Sequence, residues 1–254
     1  MKDLPNLATY KRFLWEEAGL LIVTGQVGPV LEGYQVYNAR YEIEQPRSKI
    51  VPVLRKLLAA ISLAAVSLPE RESWGWTLAI PDLAVGFFVG VEPEGMICLK
   101  TQAVAQERKP VVVQRQKLEE PITQSHFQPH DSNPVLTVQH YFEEVEQNVV
   151  RLAVDDQGKG VLVHVLPGGR FDKVATLDDD QLIELISDKV EQDELKPLAE
   201  VLIFYECRCH DEMILDMVEK MPEDRRKELW GNLDTLEVTC PRCDRKYIIR
   251  RKER

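Results

Sequence analysis

Four of the chain's five cysteines stand in two tight pairs, C-R-C (Cys207, Cys209) and C-P-R-C (Cys240, Cys243), with thirty residues between them. A thiolate is both a soft metal ligand and an oxidisable nucleophile. Zinc takes four ligands in a tetrahedron, and thiolate sulfur suits it. A C-x-x-C turn aims two sulfurs at one ion, and C-x-C does the same with tighter geometry. The pairs together therefore make a complete four-thiolate site, expected to hold one Zn²⁺ per chain in the reduced state. The alternative is a pair of structural disulfides, which a reducing cytosol disfavours. A unit of this size buries little core of its own. Structural zinc contributes about 10–16 kcal/mol in small modules, enough to decide whether such a unit folds. Spacing alone describes a structural staple equally well. Yet thiolates stay oxidisable, and the shortest loops close first. Oxidation is expected to join Cys207 to Cys209 and Cys240 to Cys243, leaving Cys98 out.

Other chemistry-bearing residues are weaker. Cys98, in "GMICLKT", sits in a strand pattern and reads as a buried small apolar residue. His210 follows Cys209 and could compete as a ligand, but four cysteines already fill a tetrahedron. His126 and His130 fall in the polar stretch "SHFQPHDSNP" and read as exposed. Met213, Met217 and Met221 continue a helical stripe with Ile214 and Val218, read as core ahead of an adaptable binding face. The end, "RRKER", reads as a solvated tail. There is no P-loop, no G-x-S-x-G and no H-E-x-x-H, so the expectation is a protein that is not an enzyme.

The elements that position the cysteines follow from pattern. Thr9 to Gly19 reads as a first helix, and "LLIVTGQVGPVLEGY" as strand broken by glycine. Val51 to Leu68 is the clearest helix. Leu54, Leu57, Leu58, Ile61, Ala65 and Leu68 follow the 3.6-residue period, and Leu63 and Val66 off that stripe imply burial on most sides. "WGWTLAIPDLAVGFFVGVEPEGMICLKTQAV" and "RKPVVVQRQKL" read as short strands, "VLTVQHYFEEVEQ" as helix, and Asp155 to Gly160 as a hairpin turn. Without a βαβ rhythm the fold class is α+β. Residues 1–174 are expected as the main domain, 175–200 as a linker holding the acidic helix Leu177 to Ile186, and 201–254 as a cysteine module. In that module a second helix runs from Pro222 to Gly231, and short strands "LEVTC" and "KYIIR" flank the C-P-R-C turn.

The net charge of −10 falls on the first 200 residues, because residues 201–254 carry twelve basic and twelve acidic side chains. An acidic body repels phosphate backbones, so a zinc-ribbon nucleic-acid binder, suggested by the Arg and Lys near Cys243, is disfavoured. The start, "MKDLPNLATYKRFLWEE", has no apolar h-region, and Arg55 and Lys56 interrupt the longest apolar stretch. The expectation is a cytoplasmic protein with no membrane partner.

The pattern "FYECRC", thirty residues, then "CPRCDRKYII", with "KMPEDRRKELWG" as the intervening helix and Tyr247 as the following aromatic, resembles the C-terminal domain of the redox-regulated 33 kDa chaperonin family of heat-shock chaperones. Upstream, "PVLRKLLAAISLAAVSL" is similar to that family's central helix, and "VQHYFEEVEQ" to its helix ending in S-E-Q, with Val145 in place of the serine. "VLVHVLPGG" is similar to the strand before its linker. The glycine-rich segment after the central helix is replaced by "AIPDLAVGFF", and the linker is shorter. The resemblance implies an ATP-independent holdase for unfolded or partly folded proteins, with a zinc-binding redox-switch domain and a homodimer on oxidation. The other reading is a constitutive protein-binding module with a purely structural zinc site.

Overall fold

The computed structural model describes residues 6–68, 72–107 and 109–251. The first five residues, on which part of the leader reading rests, and the last three of the basic tail lie outside them. In chain order the elements are β1 (Leu7–Trp15), β2 (Leu20–Gln26), α1 (Gly28–Arg40), α2 (Val51–Ser67), β3 (Ser73–Ile80), β4 (Val85–Val91), β5 (Met96–Ala103), β6 (Val111–Gln116), β7 (Thr123–Phe127), α3 (Pro134–Glu144), β8 (Val150–Val154) and β9 (Lys159–Val165). Then come α4 (Asp179–Glu191), β10 (Lys196–Tyr205), α5 (Asp211–Glu219), α6 (Glu223–Trp230), β11 (Thr235–Thr239) and β12 (Lys246–Arg250).

Among the described residues ten strands form one sheet in the order β7-β6-β3-β4-β5-β10-β1-β2-β9-β8, and β11 pairs with β12 in a separate hairpin. All neighbours in the large sheet are antiparallel except β10 and β5, joined in parallel through Phe204–Met96 and Tyr205–Ile97. The class is α+β. The apolar helix α2 lies across one face, with Leu57, Leu58, Ile61 and Leu63 fully buried, so it is a core helix. Ser48–Ser67 is long and apolar enough to cross a membrane, but 67 % of its most apolar window is buried inside the protein.

The segment expected as a first helix is strand β1 instead. Ala8 and Tyr10 pack into the cluster beneath α2, while Phe13 and Trp15 pack into a second cluster beneath α4. A strand buried first on one face and then on the other loses its two-residue alternation, and that produced the helical spacing. β2 changes face in the same way, with Leu20 and Ile22 in one cluster and Val23 in the other. Residues 28–34, expected as part of a broken strand, belong to α1. Pro29 suits its first turn, and Val30, Tyr34 and Tyr37 face the core.

Residues 175–200 hold α4 and the first half of β10, and residues 201–205 complete that strand inside the large sheet. A reciprocal capping box, Asp178 with Gln181, starts α4. Leu182, Ile183 and Ile186 are buried against β8 and β9, in the cluster that Phe13 and Trp15 of β1 also join. Three such residues contribute roughly 1.5–3 kcal/mol each, which a charged 13-residue helix needs because short helices are marginal alone.

Candidate metal centre

Cys207 and Cys209 follow directly on β10, whose end is held by Glu206 N–H donating to the Ile97 carbonyl at 3.0 Å. After His210 the chain enters α5. Cys240 and Cys243 sit in the turn joining β11 to β12. There Cys240 N–H donates to the Arg245 carbonyl at 2.8 Å, and Asp244 N–H to the Cys240 carbonyl at 3.1 Å. Asp244 closes the turn at φ 69°, a left-handed conformation that Asp tolerates. The Arg242 backbone N–H points at Cys240 Sγ, 3.4 Å away. A bond of that kind favours the thiolate form of the sulfur.

The four sulfurs lie within 4.8 Å of one another, and Cys209 and Cys243 Sγ are 3.4 Å apart. A tetrahedral zinc with sulfurs at about 2.3 Å sets neighbouring sulfurs about 3.8 Å apart, so the donor set fits. All four cysteines are at most 5 % exposed and none is bridged. Crowding drives their acidities apart. Hydrogen bonds to Cys209, Cys240 and Cys243 keep the proton on Cys207. Contact with Cys207 pulls Cys209 down to about 6 and favours the thiolate of Cys240. A divalent cation would take over from the protons still held, so its binding would release them.

Two tyrosines hydrogen-bond to this cluster. Tyr247 of β12 reaches Cys209 Sγ and the Cys209 carbonyl, each at 2.9 Å. Tyr37 of α1 stands 3.3 Å from Cys243 Sγ and 3.9 Å from Cys209 Sγ. Burial first, and then the neighbouring sulfurs, push both phenols up, so they remain donors. Arg245 stacks 3.9 Å over the Tyr41 ring and 4.7 Å over Tyr247. Four thiolates and one Zn²⁺ leave two negative charges, so donors and a nearby guanidinium stabilise such a centre.

Of the residues singled out by sequence, the structure brings together Cys207, Cys209, Cys240 and Cys243. His210 is exposed, with Nδ1 3.1 Å from the Arg208 carbonyl. His126 and His130 are exposed too, against Gln124 and Glu144. The stripe on α5 is narrower than expected: Ile214 and Val218 are buried, while Met217 is 51 % exposed. Cys98 is buried, and its neighbour is the cluster itself: its thiol interacts with Cys207. Sequence reading missed Tyr37, for which the spacing Val30, Tyr34, Tyr37, Tyr41 was the available signal. It also missed Glu92, which carried none.

This mixed sheet and its helices have a counterpart among solved structures. The crystal structure of a 33 kDa chaperonin (heat shock protein 33 homolog) from Thermotoga maritima matches with a TM-score of 0.68 and 15% identity, over 96% of this chain and 95% of that one. The family model of the Hsp33 protein matches residues 111–250. The chain belongs to the Hsp33 family, and that membership supports a chaperone role. No curated protein matches the sequence.

Proposed function

We propose that this protein is a redox-regulated, ATP-independent holdase of the cytoplasm that binds unfolding proteins under oxidative stress. The observation that carries the reading is a buried cluster of four thiols at the junction between the small hairpin unit and the body, within one continuous core. Trp230, Tyr247 and Ile249 of the hairpin unit and Tyr37, Leu99 and Tyr205 of the body belong to the same buried cluster. Cys207, Cys209, Cys240 and Cys243 would hold one zinc ion when reduced, which would supply the cross-link that keeps the two turns together. On this reading residues 1–174 carry the client surface, 175–200 the connection and 201–254 the switch.

Peroxide is the oxidant the reading requires. Each molecule takes two electrons from a pair of thiols, forms one disulfide and leaves as two waters, so two molecules convert the four ligands into Cys207–Cys209 and Cys240–Cys243. A disulfide sulfur no longer carries the thiolate charge that binds the metal. The hairpin unit then loses its main stabilisation, and apolar surface shared with the body opens to clients, with a homodimer as the oxidised form. A holdase of this kind acts by mass action on aggregation-prone states.

The test is zinc content and free-thiol count before and after peroxide, alongside suppression of aggregation of a chemically unfolded client. One zinc per reduced chain, none after oxidation, and suppression by the oxidised form alone are expected. Equal suppression in both states would sink the switch and leave a constitutive protein-binding module with a structural zinc. Absence of zinc from reduced protein would sink the metal assignment.

A further inference from the structure

Glu92 lies just past the end of β4, in the turn to β5, and its side chain is 3 % exposed. A buried carboxylate must be paired, and this one takes its partners from the two cysteine turns. Arg242, inside C-P-R-C, donates Nη2–H to Oε1. Arg208, the middle residue of C-R-C, stands 3.2 Å from Oε2. Ser73 Oγ–H of β3 donates to Oε2 at 2.9 Å. One body carboxylate is thus clamped by one residue from each metal-ligand turn. The fold also makes room for the stronger arm. A Cβ on Gly90 would lie 2.6 Å from Arg242 Nη2 and 3.0 Å from Cys98 Sγ, so only glycine there lets the guanidinium lie over β4, where it also faces the Phe88 ring at 6.0 Å.

We infer that Glu92 is the body's anchor for the cysteine turns, a positioning residue that ties their metal-bound shape to the β4–β5 hairpin. The inference rests on the metal reading above. Arg242 is fixed by a turn whose own backbone N–H bonds Cys240 Sγ, so any rearrangement of the four sulfurs moves it. Its departure leaves the buried carboxylate with only Ser73 and the half-exposed Arg208 as partners, and breaking one side of a buried ion pair is far costlier than never having built it. Arg208 is 54 % exposed and contributes less, as screened pairs do. The state of the cysteines is in this way transmitted into the large sheet.

The experiment compares Glu92→Gln, Arg208→Ala, the double variant and Gly90→Ala with wild type in the full chain. Zinc release to a chromogenic chelator is timed, and amide hydrogen exchange is followed in residues 85–103, 207–209, 240–245 and α2. Glu92→Gln should speed release roughly tenfold or more, the scale of a lost charge-assisted bond. Arg208→Ala should act less and add nothing to Glu92→Gln, because the two share one interaction. Gly90→Ala, which alters no ligand and no charge, should reproduce Glu92→Gln by displacing Arg242. Exchange should rise in the β4–β5 hairpin and both turns while α2 stays protected. Release rates within about twofold of wild type, additive effects of the pair, or exchange rising equally in α2 would each overturn the inference. Zinc-free wild type would refute the metal reading alone, since the exchange arm still decides the clamp.

Discussion

Replacing Tyr247 with Phe removes one hydroxyl and leaves the ring in the core. That hydroxyl is 2.9 Å from both Cys209 Sγ and the Cys209 carbonyl. One O–H carries one proton, so the two contacts count as one shared bond. With a metal at the site Cys209 is a thiolate and accepts that hydrogen bond, and a bond to a charged acceptor is worth about 1.5–3 kcal/mol. Because the metal-free hairpin unit is expected to be unfolded, the tyrosine there is hydrated, and the full value appears in the binding free energy. Tyr247 is 3 % exposed, so water does not replace the lost donor. A central loss of about 2 kcal/mol is roughly a thirtyfold weaker Kd. Lost outer partners of metal ligands cost about 10–100-fold, in agreement. Tyr37→Phe should cost less, since its hydroxyl stands 3.3 Å from Cys243 Sγ and bridges from a different element. The assay is competition for zinc against a chelator of known affinity, with circular dichroism confirming that the body stays folded. A Tyr247→Phe Kd within about threefold of wild type would refute the argument that the phenol supports a metal-bound thiolate.

Peptide mapping of peroxide-treated protein without reduction should return Cys207–Cys209 and Cys240–Cys243. A dominant Cys98–Cys207 bridge, for which the buried contact supplies the partner, would overturn the short-loop pairing. Leu182→Ala removes a fully buried side chain from α4 and should destabilise by about 2–5 kcal/mol, read from the denaturant midpoint; no shift would mean that α4 is not docked. Burial lowers the pKa of His164 below 6.5. The folded state then binds fewer protons than the unfolded one, so stability present above pH 6.5 is lost as the pH falls from there through the lowered folded value. His164→Gln should flatten that acid limb in a series of melts, and an unchanged slope would count against it.

The four-cysteine cluster was legible because its geometry is local. A C-x-C and a C-x-x-C each fix two sulfurs within one turn, and Pro222, Gly231, "LEVTC" and "KYIIR" mark the elements that carry them. α2 was legible for a related reason: a long apolar run buried on nearly every side needs no partner to be recognised as helix. β1 was misread as helix because a large sheet covered by α2 on one face and α4 on the other erases the period of two, whereas β2 was read as strand. The charged run 175–200 hides its packing for another reason. Its surface side chains dominate the composition, while Leu182, Ile183, Ile186 and Leu195 carry its burial.

What joins the cysteine turns to the body was not legible, and the reason is separation along the chain. Tyr37 meets Cys243 across 206 positions and Glu92 meets Arg242 across 150. The spacing of Tyr37 marks a helix face but not its partner, and Glu92 does not stand out by type, spacing or neighbours. Such contacts exist only after β10 has threaded between β5 and β1, which places the C-R-C turn beyond the end of the sheet next to the β4–β5 hairpin. The local motif therefore specifies a centre able to hold a metal, and the topology specifies what that centre reports to. On this inference a change in the four sulfurs is felt first by α1, packed on the large sheet, through Tyr37 and by the β4–β5 hairpin of that sheet through Glu92. The fold thus gives the cysteines a means of acting on the body that their spacing could not disclose.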